Sequence, residues 1–281
     1  MEVEDVSRLA ADELFAYFRT RLPVGIYLPL ALFLYTAGVA AGRRIDARSF
    51  ALGLTLAYTL LLQFRLWDDL NSRGQDRLEH PERVLSKVKA LLPFHKLFFL
   101  SLVFNCAVLF LEPDFRPKLA GFIALNGGLL LWYRRRLGLS LNKIINSHVV
   151  LAKYPLFVYL LSDTSRAAST PYLLSLSVVY LCFCVYELLH DKTLWTAPWA
   201  RRVLGVEMLA LVVVYGLMAA ELRSSVTVAT VTQVILTTAG GLASILLFFR
   251  HRSQTISSNW NYAVIIIGFA GLVNFSLGNK L

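Results

Sequence analysis

Apolar runs separated by short polar segments make up most of this chain and define its predicted elements. Nine such runs can be marked, at 22–41, 49–66, 93–111, 118–133, 147–161, 171–187, 203–220, 226–249 and 260–278. A transmembrane helix usually needs about 20 apolar residues, so the shorter runs must borrow length from their flanks. The pattern predicts an all-α, multi-pass membrane protein with nine transmembrane helices in a single domain, residues 22–281. Pro155, inside the fifth run, predicts a kink or a local break there.

The first 21 residues differ from the rest, because acidic residues are frequent and apolar residues recur at helical spacing. The apolar positions are Val6, Leu9, Ala10, Leu14, Tyr17 and Phe18. A helix with this pattern has one apolar face and lies at a membrane surface. A cleavable signal peptide would instead begin with basic residues. We therefore expect residues 1–21 to form a separate amphipathic helix.

Composition agrees with a membrane location. Of the 281 residues, 57% are hydrophobic and only 16% are charged, and the mean hydropathy is +0.58. In a soluble domain about a quarter of the residues are charged. The net charge of +10 would suggest nucleic acid in a soluble protein, but here the basic residues stand between apolar runs, next to lipid headgroups. No nucleic-acid-binding motif is present, so the expected partner is the bilayer.

The basic residues also predict the orientation of the chain. If Met1 faces the cytoplasm and all nine runs cross the membrane, 20 of the 28 Lys and Arg residues are cytoplasmic and 8 lie on the opposite side. Cytoplasmic loops of membrane proteins carry such an excess of basic residues. The segments 65–96, 134–146 and 187–202 then share the cytoplasmic face, where their side chains can converge on one site.

The cysteines and one histidine of the apolar runs are predicted to have no special chemistry. Cys106, Cys182 and Cys184 lack the spacing of a zinc site, and small buried hydrophobic residues are the expected reading. His148 is predicted to lie at the membrane interface.

The first candidate site follows the second apolar run, where Asp68, Asp69 and Asp76 cluster. Asp69 and Asp76 are seven positions, or two turns, apart and share one face if the helix continues. Such carboxylates suit Mg²⁺, which bridges carboxylate oxygens to phosphate. The alternative is a solvated loop in which Asp76 pairs with Arg73 or Arg77. Four arginines of this stretch are candidates to bind phosphate: Arg65, Arg73, Arg77 and Arg83.

The second candidate site closes the sixth apolar run. Glu187 and Asp191 are four positions apart, so one helix face presents both carboxylates. This spacing occurs by chance in many helices, and its weight comes from being a second acidic pair at a second helix end. Lys153 adds a positive charge inside an apolar run. We expect it to pair with phosphate or a carboxylate, or alternatively to extend to the membrane edge.

Together these stretches resemble the UbiA superfamily of intramembrane prenyltransferases. The segment 76–83, Asp-Arg-Leu-Glu-His-Pro-Glu-Arg, is similar to the end of the family's first signature motif. Its second motif, DxxxD, closes the sixth helix of a nine-helix bundle, where this chain has Glu187 and Asp191. Two positions depart from the pattern: Ser72 stands where the family has an aspartate, and Glu187 replaces the first aspartate of the second motif.

The resemblance implies Mg²⁺-assisted departure of diphosphate from an isoprenyl diphosphate and transfer of the prenyl group to an aromatic or lipid acceptor. The implied catalytic residues are Asp69, Asp76, Glu187 and Asp191, and the implied metal ligands are the same four with Asp68. The residues expected to hold the diphosphate are Arg65, Arg77, Arg83, Arg134, Lys143, Lys153, Tyr186 and Lys192. Arg134 and Lys143 also fit a simpler role as positive-inside anchors.

Two other functions stay open on the sequence alone. The substituted first motif is compatible with a terpene cyclase of the same superfamily, in which a double bond of the substrate captures the carbocation. A transporter or a non-catalytic bundle is the alternative from a different class. Transporters commonly carry charges near the membrane midplane and repeated halves, whereas here the charges gather at one face and no internal repeat is evident.

Overall fold

The computed structural model describes residues 3–88, 90–136, 143–167, 169–191, 194, 199–221 and 258–278, and all regular structure in them is helical. The first six helices are α1 (Val3–Arg21), α2 (Val24–Ala40), α3 (Ala47–Glu79), α4 (Val84–Lys87), α5 (Leu92–Phe110) and α6 (Phe115–Arg136). The remaining five are α7 (Lys143–Leu151), α8 (Lys153–Leu161), α9 (Thr170–His190), α10 (Ala200–Glu221) and α11 (Ser258–Gly278). The predicted all-α class is confirmed for this part of the chain.

Within the described residues, five segments are long and apolar enough to cross a membrane: Ala47–Leu78, Leu92–Phe110, Lys143–Leu161, Thr170–His190 and Ala200–Glu221. A sixth results if the bent pair Ala11–Arg21 and Val24–Ala40, which meet at 61°, is one span. The run 118–133 falls in α6, which does not qualify, because basic residues stand near both of its ends. The run 226–249 lies outside the described residues. A membrane protein is therefore supported, while nine spans and a surface location for α1 stay predictions.

Helix α3 extends well beyond what a bilayer needs. It has 33 residues, which at about 1.5 Å per residue is about 50 Å. The hydrocarbon core of a bilayer is only about 30 Å thick. The polar C-terminal part of α3, with its carboxylates, therefore has length to continue past the apolar region.

The predicted break in the fifth run is present. Helix α7 ends at Leu151 and α8 begins at Lys153, so Pro155 is the third residue of the new helix. The N–H groups of the first turn of a helix have no acceptor within the helix, so a proline there costs no hydrogen bond. The break precedes the proline and places His148 and Lys153 on separate helices.

The chain forms two compact units, Met1–Leu32 with Ala51–Leu119, and Phe33–Phe50 with Ala120–Leu281. In the first unit α1, α3, α4 and α5 share an apolar core of Tyr17, Leu22, Leu66, Leu85, Val88 and Phe94. The Tyr17 and Phe94 rings meet edge to face with centroids 5.6 Å apart, an arrangement that aromatic pairs favour. This core fixes α1 against the end of α3 where the acidic residues lie.

In the second unit α9 is central and packs against α7, α8, α10 and α11. Its approach to α11 is close, because a Cβ atom on Gly268 would stand 2.6 Å from the Cys182 sulfur. Gly38 of α2 is similarly close to the end of α8, where a Cβ atom would lie 2.8 Å from the Leu161 carbonyl oxygen. Glycine at these two positions lets the helix backbones approach.

Candidate functional site

The acidic stretch after the second apolar run is helical, not a loop. Helix α3 continues through Asp69 and Asp76 to Glu79, so the two carboxylates lie on one face as expected. Both side chains are buried, with 4% of Asp69 and 6% of Asp76 exposed. The predicted condition for a shared carboxylate face is therefore met, although neither group is freely solvated.

Asp69 is held by three cationic or polar side chains. Arg21 donates from Nη2 to Oδ1 at 2.6 Å and from Nε to Oδ2 at 3.0 Å. The Tyr17 hydroxyl donates to Oδ2 at 3.0 Å, and Arg65 Nε lies 3.4 Å from the same oxygen. Arg65, which was expected to bind phosphate, is therefore paired with Asp69 in this structure. These bonds attach α1 to α3 at the candidate site.

Asp76 is oriented by two residues of the same acidic stretch, Ser72 and Arg83. Arg83 Nη1 donates to Oδ1 at 2.6 Å, and Ser72 Oγ donates to Oδ2 at 3.2 Å. Ser72 therefore contacts Asp76 directly. Arg73, one of the two alternative partners of Asp76, instead donates to the carbonyl oxygens of Leu85 and Val88.

The other polar residues of this stretch are more exposed. Arg77 is exposed and Asp68 is half-buried. His80 Nδ1 lies 3.4 Å from Glu82 Oε1. A hydrogen bond from its own backbone N–H lowers the pKa of the fully exposed Glu82, and His80 adds to this. The exposed side chains of Arg77 and Glu82 can reach a ligand in solvent.

The second acidic pair stands at the end of α9. Glu187 lies in the last turn, and Asp191 is the C-terminal cap, whose N–H donates to the Glu187 carbonyl oxygen at 2.9 Å. Both residues are half-buried. Tyr186 stacks on His190 with ring centroids 5.3 Å apart and planes 12° apart. The geometry agrees with two carboxylates at a helix end.

Three of the predicted diphosphate-binding residues, Lys153, Arg134 and Lys143, lie at helix ends of the second unit. Lys153 is buried at 4% exposure, and its Nζ lies 5.5 Å from the centre of the Tyr154 ring, within cation–π range. Arg134 and Lys143 are exposed, at the end of α6 and the start of α7. Lys192 lies outside the described residues.

Some of the predicted metal ligands suit Mg²⁺ better than others. This ion takes hard oxygen ligands, and each Asp76 oxygen has one hydrogen-bond donor among the described residues, with lone-pair capacity left. Asp68, Glu187 and Asp191 offer further half-buried carboxylates. Asp69 fits less well, because Arg21, Tyr17 and Arg65 already surround its oxygens. Asp68 to Asp76 belong to the first unit and Glu187 and Asp191 to the second, and their convergence stays a prediction.

A further group of polar side chains was not expected from the sequence. His148 of α7, Cys184 of α9 and Glu207 of α10 bring one potential ligand atom each to within 4.8 Å of one another. His148 Nε2 forms a short contact with Glu207 Oε1. His148 was expected at the interface and Cys184 as a small apolar residue, but both contact polar partners. Glu207, a lone carboxylate in an apolar run, is the signal that sequence reasoning passed over.

Comparison with known proteins gives no family, since no family model, no curated protein and no solved structure matches this chain.

Proposed function

We propose that this protein is a Mg²⁺-dependent intramembrane prenyltransferase of the UbiA type. It would release diphosphate from an isoprenyl diphosphate and transfer the prenyl group to an aromatic or lipid acceptor. One observation carries the proposal: a helix of transmembrane length continues past its apolar part and holds Asp76 buried between Ser72 and Arg83. The ion pair with Arg83 and the hydrogen bond from Ser72 orient this carboxylate beyond the apolar part of the helix.

The residues divide the work by charge. Asp68 and Asp76 in the first unit, and Glu187 and Asp191 in the second, are the candidates to hold Mg²⁺, which would neutralise charge on the departing diphosphate. Arg77 and Arg83 in the first unit present guanidinium groups, which bind phosphate oxygens in pairs. In the second unit Arg134, Lys143, Lys153 and Tyr186 are the corresponding candidates, and Lys192, which lies outside the described residues, is a further candidate. The apolar helices exclude water, which would otherwise capture the carbocation.

Asp69 has a different role in this proposal from that of Asp76. Its oxygens bind Arg21, Tyr17 and Arg65, so it positions α1 and Arg65 beside the site. A contact of Asp69 with Mg²⁺ would require Arg21 to move away. We therefore expect Asp69 to contribute through positioning more than as a ligand.

The test uses full-length protein in nanodiscs with Mg²⁺, a C15 or C20 isoprenyl diphosphate and candidate acceptors. Asp76→Asn and Asp191→Asn should each lower diphosphate release about 100-fold or more, the usual effect of removing one electrostatic stabiliser of a transition state. Asp12→Asn is the matched control, because Asp12 is exposed on α1, and it should release diphosphate like the unaltered protein. Undiminished release by both site variants would refute the proposal.

The terpene cyclase is retained as a second candidate because Ser72 replaces an acidic residue of the first motif. The same assay without any acceptor separates the two functions. A cyclised hydrocarbon or alcohol identifies the cyclase, whereas turnover that depends on an added acceptor identifies the transferase. Absence of diphosphate release from every substrate would favour a transporter or a non-catalytic bundle.

A further inference from the structure

Three helices of the second unit place a histidine, a cysteine and a glutamate together inside apolar segments. The residues are His148 of α7, Cys184 of α9 and Glu207 of α10, and their ligand atoms lie within 4.8 Å of one another. Cys184 is fully buried and Glu207 is 7% exposed. The proposed prenyl transfer uses none of these residues, so the cluster needs its own explanation.

The hydrogen bonds of His148 show which ring nitrogen faces the cluster. Nδ1 lies 2.7 Å from the Ile144 carbonyl oxygen, and because a carbonyl only accepts, Nδ1 carries the hydrogen. In the neutral ring Nε2 is then bare, and it faces Glu207 Oε1. A backbone carbonyl on one nitrogen is also the usual way in which a metal-binding histidine is oriented.

The contact between Nε2 and the carboxylate therefore requires a positive species between two acceptors. A second proton on His148 would satisfy Nε2 and Oε1. It would leave Glu207 Oε2, which is buried and has no hydrogen-bond partner among the described residues. The Cys184 thiol stands beside the pair, with its sulfur within 4.8 Å of the His148 and Glu207 ligand atoms. A metal ion satisfies the imidazole, the carboxylate and the thiolate together.

We propose that His148 Nε2, Cys184 Sγ and Glu207 bind a Zn²⁺ ion. Zinc accepts nitrogen, sulfur and oxygen ligands in tetrahedral geometry, and three protein ligands leave a fourth position for water. With bonds of about 2.0–2.3 Å, two ligands of one zinc ion are about 3.3–3.8 Å apart. The cluster reaches this spacing through small side-chain movements. Zinc displaces the Cys184 thiol proton to solvent as the Zn–S bond forms.

The site is chemically distinct from the proposed Mg²⁺ site. Mg²⁺ prefers an all-oxygen octahedral shell and does not select a thiolate. The Tyr180 hydroxyl donates to the His148 backbone oxygen at 3.3 Å, which links α9 to α7 beside the cluster. An ion bound here would cross-link α7, α9 and α10.

The direct experiment measures metal content. Full-length, tag-free protein is stripped with chelator, dialysed against Zn²⁺ and then against metal-free buffer, and analysed by mass spectrometry of the metal. We expect about one Zn²⁺ per chain. The same protein loaded with Co²⁺ should show the ultraviolet charge-transfer band of a thiolate–cobalt bond. Unaltered protein that takes up no Zn²⁺ and shows no such band would overturn the proposal in favour of a proton between His148 and Glu207.

Variants identify the ligands. Cys184→Ser should abolish the cobalt band, and His148→Gln or Glu207→Gln should weaken Zn²⁺ binding about 100-fold or more, beyond the 10- to 100-fold effect of losing an outer partner. Cys182→Ser is the matched control, because Cys182 is also buried on α9 and its sulfur instead contacts the Val264 carbonyl oxygen at 3.7 Å. It should keep the band.

Retention of the band in Cys184→Ser would overturn the proposal. The cobalt band is also measured in the unaltered protein, so the proposal can be tested even if a variant misfolds. Asp76→Asn should bind zinc normally whether or not prenyl transfer is lost, and the two proposals are therefore tested separately.

Discussion

At the scale of single residues, the candidate site is built from buried charges that have partners. Asp69 with Arg21, and Asp76 with Arg83, are ion pairs with atoms 2.6 Å apart. A buried carboxylate whose partner is removed keeps its desolvation cost and loses the attraction. Such pairs therefore hold side chains in place strongly even where their net contribution to stability is small.

Replacing Arg21 tests this directly. Arg21→Gln leaves the buried Asp69 carboxylate with Tyr17 and Arg65 only, and we expect a loss of about 3 kcal/mol in the free energy of unfolding, because one partner of a buried pair is gone. Thermal unfolding in detergent, followed by intrinsic fluorescence, should show a lower midpoint. Arg19→Gln is the control, since Arg19 is exposed two positions earlier on α1. Equal midpoints for the two variants would show that the Arg21 pair does not stabilise the fold.

Some features of single residues could be predicted from the sequence, and others could not. The spacing of Asp69 and Asp76 predicted a shared face on the condition that the helix continues, and α3 does continue to Glu79. The apolar run predicted that α9 ends near Asp191. Arg21 and Tyr17 could not be assigned to Asp69, because they are 48 and 52 positions away in the chain. The grouping of His148, Cys184 and Glu207 likewise depends on packing of three helices. Contacts between distant helices leave no periodic signal in the sequence.

At the scale of elements, close helix packing depends on glycine at a few positions. Gly38 of α2 faces the end of α8, and a Cβ atom there would meet the Leu161 carbonyl oxygen at 2.8 Å and its Cβ at 2.9 Å. Backbone atoms cannot turn aside as a flexible side chain can. The Arg43 side chain donates to the same carbonyl oxygen at 2.9 Å, so a shift there would disturb a second contact.

Gly38→Ala should therefore destabilise the second unit. We expect about 1–3 kcal/mol, the usual effect of overfilling a packed contact, measured as a lower thermal midpoint. Gly127→Ala on α6 is the control, because nothing lies within 4 Å of its Cβ position, and alanine in a helix is favoured over glycine by about 0.5–1 kcal/mol. A thermal midpoint of Gly38→Ala at or above that of Gly127→Ala would show that Gly38 is not needed for the close approach of α2 to α8.

The apolar runs predicted where helices form better than they predicted which helices are apolar enough to cross a membrane. The run 147–161 gave a span broken at Ala152, as Pro155 indicated. The run 118–133 became part of α6, in which Arg116, Lys118 and Arg134 limit the apolar length. A count of apolar residues identifies a helix, but the charges at its ends decide whether it is long enough to cross.

At the scale of the whole molecule, the proposed function needs the acidic helix ends to face the same side of the membrane as the substrate. The distribution of 28 basic residues predicts a cytoplasmic amino terminus and a cytoplasmic C-terminal end of α3. Five or six described segments can cross a membrane, and their orientation follows from this prediction alone.

Two matched arginine-to-cysteine variants test the orientation. Arg77 is exposed at the end of α3 and Arg116 is exposed at the start of α6. With Cys106, Cys182 and Cys184 protected by prior alkylation or replaced, a membrane-impermeant maleimide should label Arg77→Cys only from the cytoplasmic side of vesicles and Arg116→Cys only from the other. The reverse pattern, or labelling of both from one side, would contradict the predicted topology.

The proposed prenyltransferase activity is tested most directly by the release of inorganic diphosphate from a C20 isoprenyl diphosphate, with the unaltered protein in nanodiscs and an acceptor present. We expect release that requires Mg²⁺, stops with chelator and falls about 100-fold in Asp76→Asn. Release that continues at the same rate without Mg²⁺, or in Asp76→Asn, would contradict it.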